Sequence, residues 1–176
     1  MRSPAKLHDY QKQCVNHQCS HAGSAIWLDP GLGKTVITQT AAAHLLQTQF
    51  LRGVLIIAPI RVCRLVWRQE AVKWSHTQHL RFSMLLGSRD LRNRALLQDA
   101  DIYLINYENL EWLAEVLHTY FISKGRPIPF DGVVFDESSK LKNSPAVFRT
   151  FGNCCKRALW IRESPHPRQA GAMMSR

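Results

Sequence analysis

Two short stretches of the chain hold residue types suited to handling a phosphate anhydride. The first is Pro30-Gly31-Leu32-Gly33-Lys34-Thr35, which follows AIWLD (25 to 29) and leads into the helix-like pattern TVITQTAAAHLL. A strand, a glycine turn and a helix N-terminus make an anion cradle, because glycines let backbone N–H groups converge and the helix end adds partial positive charge. In such a cradle Gly31, Leu32 and Gly33 offer main-chain donors, Lys34 reaches the β and γ phosphates, and the Thr35 hydroxyl binds Mg²⁺. The complete phosphate-loop pattern also asks for a glycine where this chain has Leu28. The second stretch is GVVFDE (132 to 137), which ends on the acidic pair Asp136-Glu137. Neighbouring carboxylates at a strand end divide the work of hydrolysis: Asp136 positions Mg²⁺ and Glu137 orients and deprotonates the attacking water. Either string alone also serves as a structural turn or cap. Both together, in this order, point to a nucleoside triphosphate as the ligand.

These residues need a scaffold that brings two strand ends together. Five short apolar runs, AIWLD (25 to 29), VLIIAP (54 to 59), FSMLL (82 to 86), DIYLINY (101 to 107) and GVVFDE (132 to 137), read as strands. They are nearly continuous in apolar residues, which suits a mainly parallel sheet covered by helices on both faces. Helices are expected at about 34 to 49, 62 to 75, 89 to 99, 109 to 123 and 145 to 156, with Ser88 and Ser144-Pro145 as N-terminal caps. A further helix would carry Cys14, His17, Cys19 and His21; three of these share a face, but the spacing favours ordinary helix residues over a metal site. Trp67 and Trp74 read as core, as does the stripe Trp112, Leu113, Leu117, Tyr120 and Phe121. The alternation of strand and helix predicts an α/β sandwich with ligands beyond the carboxyl ends of the strands. The ordered body is expected to span 1 to 161, because ESPHPRQAGAMMSR loses all periodicity and gathers prolines, leaving 162 to 176 as a disordered tail.

The 176 residues suffice for one domain, and 45 % apolar with 20 % charged residues is the balance of a globular protein. The net charge is +10. Its distribution is uneven: Arg61, Arg64, Arg68, Lys73, Arg81, Arg89, Arg92 and Arg94 stand against Glu70 and Asp90 alone. Such a concentration attracts polyanions, nucleic acid first among them, although it also suits a solvated face. An odd cysteine count with one adjacent pair argues for reduced thiols, and no apolar stretch is long enough to span a bilayer, so no membrane partner and a cytoplasmic setting are expected.

Several further segments, taken in order, resemble the superfamily II helicases, and within them the SWI/SNF-like translocases of double-stranded DNA. Leu7-His8-Asp9-Tyr10-Gln11 resembles the family's adenine-reading segment, in which the Gln pairs with the base. Asp29 to Thr35 is similar to its phosphate loop, which does without the early glycine and has Met where this chain has Pro30. Leu55 to Pro59 followed by Trp67, Glu70, Lys73 and Trp74 resembles a motif near the DNA backbone, as does Asn106-Tyr107-Glu108. Arg61, Arg64 and Arg68 fall at spacings that place them on one helix face, able with Lys73 to follow phosphates.

The resemblance implies a RecA-like, three-layer ATP-binding lobe with ATP and Mg²⁺ as ligands, duplex DNA as partner, and motion along DNA driven by ATP hydrolysis. It also implies a second lobe, for which 176 residues leave no room. The chain is therefore expected to be a truncated motor with little turnover alone, or an ATP- and DNA-binding module that relies on a separate chain for the second lobe. Ser138-Ser139 stand where many members carry Ala-His, which bears on coupling rather than on nucleotide binding. An unrelated phosphate-loop enzyme, such as a small-molecule kinase, fits the Leu7 to Gln11 segment and the clustered arginines less well.

Overall fold

A computed structural model describes residues 1–137, 157–163 and 173–175. Its elements in chain order are α1 (Asp9–Ser20), β1 (Gly23–Leu28), α2 (Lys34–Gln47), β2 (Val54–Ile57), α3 (Ile60–Leu65), α4 (Trp67–Ala71), β3 (Phe82–Met84), α5 (Arg89–Leu96), β4 (Ile102–Ile105), α6 (Leu110–Leu117), β5 (Gly132–Asp136), β6 (Arg157–Glu163) and β7 (Met173–Ser175). They form one seven-stranded sheet in the order β3-β4-β2-β5-β6-β1-β7. Every pairing is parallel except that of β7 with β1. Parallel strands place the ends of β1, β2, β4 and β5 at one edge of the sheet, so the phosphate loop and the acidic pair emerge on the same side.

The continuous apolar strands are explained by burial on two faces. Leu55 and Ile57, Tyr103 and Ile105, and Val133 and Phe135 pack with Leu96, Leu113 and Leu117 of α5 and α6. The intervening Val54 and Ile56, Ile102 and Leu104, and Val134 pack with Ala42 and Leu45 of α2 and with Cys63 and Trp67 of α3 and α4. Alternate residues thus serve two cores, as the period of a strand requires. Each large aliphatic side chain so buried contributes on the order of 1.5 to 3 kcal/mol. The α/β sandwich with helices on both faces is the fold expected from the sequence.

Several local readings differ in detail. The single helix expected over 62 to 75 is two, joined at Val66. The helix expected over 109 to 123 gives way after Leu117 to a π-helical turn, His118–Ile122. A π turn shifts the angular phase, so Tyr120 leaves the buried stripe and is 51 % exposed, while Trp112, Leu113 and Leu117 stay buried. Ser88 caps α5 as expected, its hydroxyl accepting from Leu91 N–H at 3.4 Å. The helix expected at 145 to 156 and the cap at Ser144 lie outside the described residues. The expected end of the ordered body, near Ile161, falls inside β6, which continues to Glu163, and Met173–Ser175 pair with β1 within the stretch read as a tail. Backbone pairing of this kind leaves little trace in side-chain periodicity. Among the described residues no helix is long and apolar enough to cross a membrane.

Candidate nucleotide-binding site

The loop after β1 turns on two glycines in left-handed backbone, Gly31 (φ +85°) and Gly33 (φ +79°), a region that costs other residues roughly 1 kcal/mol or more. Gly33 is the N-cap of α2 and is further constrained by its neighbour: a Cβ there would lie 2.5 Å from Gln11 Nε2. α1 therefore lays Gln11 directly on the phosphate loop. Gln11 Nε2 donates to Leu32 O at 3.2 Å and Gln11 Oε1 accepts from His8 N–H at 3.0 Å, while Tyr10 Oη donates to Leu32 O at 3.1 Å. Among the described residues each end of the Gln11 amide makes one hydrogen bond, which leaves an N–H and a lone pair unused. Lys34 folds back so that Nζ donates to Leu28 O at 3.0 Å and Asp29 O at 3.2 Å, placing the ammonium over the loop.

This loop is the floor of a cleft of about 610 Å³. Gly31, Gly33, Lys34, Thr35 and Gln11 line it from below, and Arg2, Lys6, His8, Tyr10, Glu70 and Trp74 wall it in. The N-terminal segment reaches the cleft through backbone bonds, Arg2 N–H to Lys73 O at 2.8 Å and Ser75 N–H to Arg2 O at 2.9 Å, and the Arg2 guanidinium lies 5.7 Å from the Trp74 ring centre. Glu70 accepts from Trp74 Nε1 at 3.0 Å and from Lys73 Nζ at 2.6 Å. Burial works against the Glu70 carboxylate, yet these two donors and the charges of Lys73 and Arg2 hold its pKa below the ordinary value.

The acidic pair stands at the end of β5. Burial, with the negative charge of Glu137, pushes the Asp136 carboxyl up to about 6, against the opposing pull of the Trp67 N–H and the Lys34 charge. Trp67 Nε1 donates to Asp136 Oδ2 at 3.2 Å, and the Tyr107 hydroxyl donates to the Asp136 main-chain carbonyl. Burial, and then the charges of Asp136 and Glu137, raise the Tyr107 pKa, so its proton stays in place. Glu137 adopts a left-handed backbone (φ +57°), one of two non-glycine residues among the described ones to do so. A hydroxyl at Thr35 and a carboxylate at Asp136 are hard oxygen donors, and a buried carboxylate that ionises at a cost is suited to a divalent cation; the residues fit Mg²⁺.

Arg61, Arg64 and Arg68 are exposed on α3 and α4. Of the basic cluster, Lys73 is paired with Glu70, Arg81 with Asp99 and Asp101, and Arg89 with Glu115. Arg92 lies over the Trp112 ring and bonds Asn109. Arg61, Arg64, Arg68 and Arg94 have no ion-pair partner among the described residues. The sequence reading placed Lys73 with the basic face and Trp74 in the core; Trp74 is buried and, with Glu70, lines the cleft, while Lys73 pairs with Glu70 beside it. It also missed Arg2 and Lys6, which carry no motif, and the bonds from Trp67 and Tyr107 to Asp136, which join residues far apart in the chain.

The model of the SNF2-related domain matches residues 10–157. The putative protein p41 of Acyrthosiphon pisum secondary endosymbiont phage 1 is 35 % identical over 136 residues, which are 76 % of this chain and 28 % of that protein. Among solved structures, the Sulfolobus solfataricus SWI2/SNF2 ATPase core in complex with dsDNA superposes with a TM-score of 0.70 at 24 % identity, covering 91 % of this chain and 32 % of that one. The chain thus spans about a third or less of the length of these relatives. A family match over most of the chain, on a fold that brings the glycine loop, Gln11 and the acidic pair to one edge of the sheet, means that this protein belongs to the SNF2-related domain family and carries its ATP-binding architecture.

Proposed function

We propose that this chain is the ATP-binding lobe of a DNA-dependent ATPase that couples ATP hydrolysis to movement along duplex DNA. In this reading Gln11 pairs with adenine, and Gly31, Leu32, Gly33 and Lys34 bind the triphosphate. Thr35 and Asp136 hold Mg²⁺, and Glu137 orients the attacking water and accepts its proton. Mg²⁺, when bound, neutralises charge developing on the phosphates. The observation that carries the reading is the placement of Gln11 against Gly33 at the mouth of α2, which builds base and phosphate recognition into one continuous surface. Arg61, Arg64 and Arg68 are the exposed charges that would follow a DNA backbone, joined by Lys73, which also pairs with Glu70.

A second reading is that the lobe binds ATP and DNA while turnover depends on a second lobe; the chain covers 28 % and 32 % of the two relatives' lengths. A module that binds ATP and DNA but needs a second lobe, on the same or a separate chain, would be short of an arginine at the transferred phosphate, a contribution of about 10³ to 10⁵ in rate for related NTPases. Steady-state ATP hydrolysis with and without duplex DNA, beside Lys34→Ala and a Mg²⁺-dependent nucleotide-binding assay, separates the two. DNA-stimulated turnover that Lys34→Ala abolishes supports the motor. Lys34-dependent binding without turnover supports the incomplete module, and binding that ignores Lys34→Ala refutes both.

A further inference from the structure

Trp67 stands where three parts of the proposed machinery meet. Its side chain is fully buried. Its indole N–H donates to Asp136 Oδ2 at 3.2 Å, and its main-chain carbonyl accepts from Gln39 Nε2 at 2.5 Å. Gln39 lies on α2, the helix that opens with Lys34 and Thr35. Trp67 is also the first residue of α4, at the joint with α3, and the exposed Arg64 and Arg68 stand on either side of that joint.

We propose that Trp67 is a positioning residue that couples a polyanion bound at Arg64 and Arg68 to the Asp136 carboxylate and the phosphate-loop helix. This rests on the reading of the cleft as an ATP site and of the basic face as a DNA site. An indole N–H in a buried position needs an acceptor, and this one has the carboxylate of the acidic pair rather than a neutral carbonyl. A rigid bicyclic side chain in a close-packed interior transmits small displacements of the α3–α4 joint instead of absorbing them. The second contact, through Gln39, makes the same displacement felt at α2. Gln39 Oε1 has no hydrogen-bond partner among the described residues, so its amide is held by the Trp67 carbonyl and packing alone.

The test is a linkage measurement on the whole chain. Affinity for Mg²⁺·ATP is titrated with and without a short duplex DNA, and affinity for the duplex with and without Mg²⁺·ATP, in the parent, Trp67→Phe and Gln39→Met. Coupling between two binding sites is reciprocal, so the parent should give one factor in both directions, on the order of tenfold. In Trp67→Phe the factor should fall to within about twofold of unity, and in Gln39→Met to an intermediate value. A purely structural role for the indole would weaken both affinities and leave the factor unchanged; a parental factor in Trp67→Phe overturns the proposal. Should Trp67→Phe fail to fold, Gln39→Met decides on the same criterion, since Met matches the shape of Gln. A parent whose ATP affinity ignores the duplex overturns the DNA reading and the coupling together, whereas one whose ATP binding ignores Lys34→Ala overturns the nucleotide site itself.

Discussion

Two concavities of similar size differ in almost everything else. The cleft above the phosphate loop encloses about 610 Å³ and presents Lys34, Gln11, Thr35, Glu70 and two left-handed glycines. The groove between α5, α6 and the π-helical turn encloses about 520 Å³ and presents Leu96, Leu97, Val116, Tyr120, Phe121 and Pro127, with Arg126 and Asn93 at its polar positions. Volume therefore does not identify the nucleotide site. Main-chain donors at a helix start, a lysine and a glutamine within reach of one another can bind a triphosphate; a groove of aliphatic and aromatic side chains cannot.

The comparison can be broken most directly at Lys34. Lys34→Ala should lower Mg²⁺·ATP affinity by about a hundredfold or more, the order expected for losing a charge-assisted contact to phosphate together with its field; calorimetric titration reads it, and near-parental binding would mean that the cleft is not the site. Gln11→Ala should cost about tenfold for ATP and erase most of the preference for ATP over GTP, since a bidentate amide pair is worth about 1 to 3 kcal/mol of base discrimination. An unchanged ATP to GTP ratio would remove Gln11 from base recognition.

A smaller effect sharpens the contrast in what lies beneath each surface. The cleft side rests on part-buried polar contacts, among them Thr40 Oγ1 with His76 Nε2 at 2.8 Å. The Thr40 hydroxyl donates to Val36 O at 2.7 Å, so His76 Nε2 is the donor to Thr40 and Nδ1, buried without a partner among the described residues, stays unprotonated. Burial, with the nearby His79, lowers the His76 pKa. A depressed histidine favours the neutral form in the folded state, so its contribution is present above the ordinary value near 6.5 and is lost as pH falls below that value towards the folded pKa. On going from pH 7 to 5 the charging of His76 should lower the melting temperature by roughly 1 to 2 °C, opposed by the gain as the raised Asp136 carboxyl protonates, and His76→Gln should remove the His76 part alone. A parental pH dependence in the variant would exclude His76 as a contributor. The smallest effect belongs to the other concavity: Tyr120→Ser, at a half-exposed position in the apolar groove, should leave ATP affinity unaltered and shift stability by less than about 0.5 kcal/mol. Loss of ATP binding there would undo the distinction between the two surfaces.

Much of this was legible from residues alone where the governing interaction is local. The five apolar runs became β1 to β5 with small changes in their ends, because residues buried on two faces must be apolar at every position. The glycine loop and the acidic pair were legible because backbone N–H groups at a helix start, and carboxylates at a strand end, need few residues in fixed order. Less legible was the stretch from Arg61 to Trp74. Its even spacing suggested one helix with one basic face, but the chain is jointed at Val66, and Glu70 and Trp74 turn to the cleft. Tyr120 was misplaced for a similar reason, since a π turn changes phase without changing composition.

The sequence by itself determined the α/β class, the positions of its first five strands and the glycine loop proposed to bind phosphate, because periodicity and turn chemistry act over a few residues. Tertiary structure decided which of the eight clustered basic residues pair with carboxylates among the described residues, that β6 separates β1 from β5, and that Trp67 and Tyr107 both bond Asp136. Those are meetings between residues as far apart in the chain as Gly23 and Ala158, partners in β1 and β6. They depend on how the layers pack, and no local pattern of residue types encodes which donor a buried carboxylate will find.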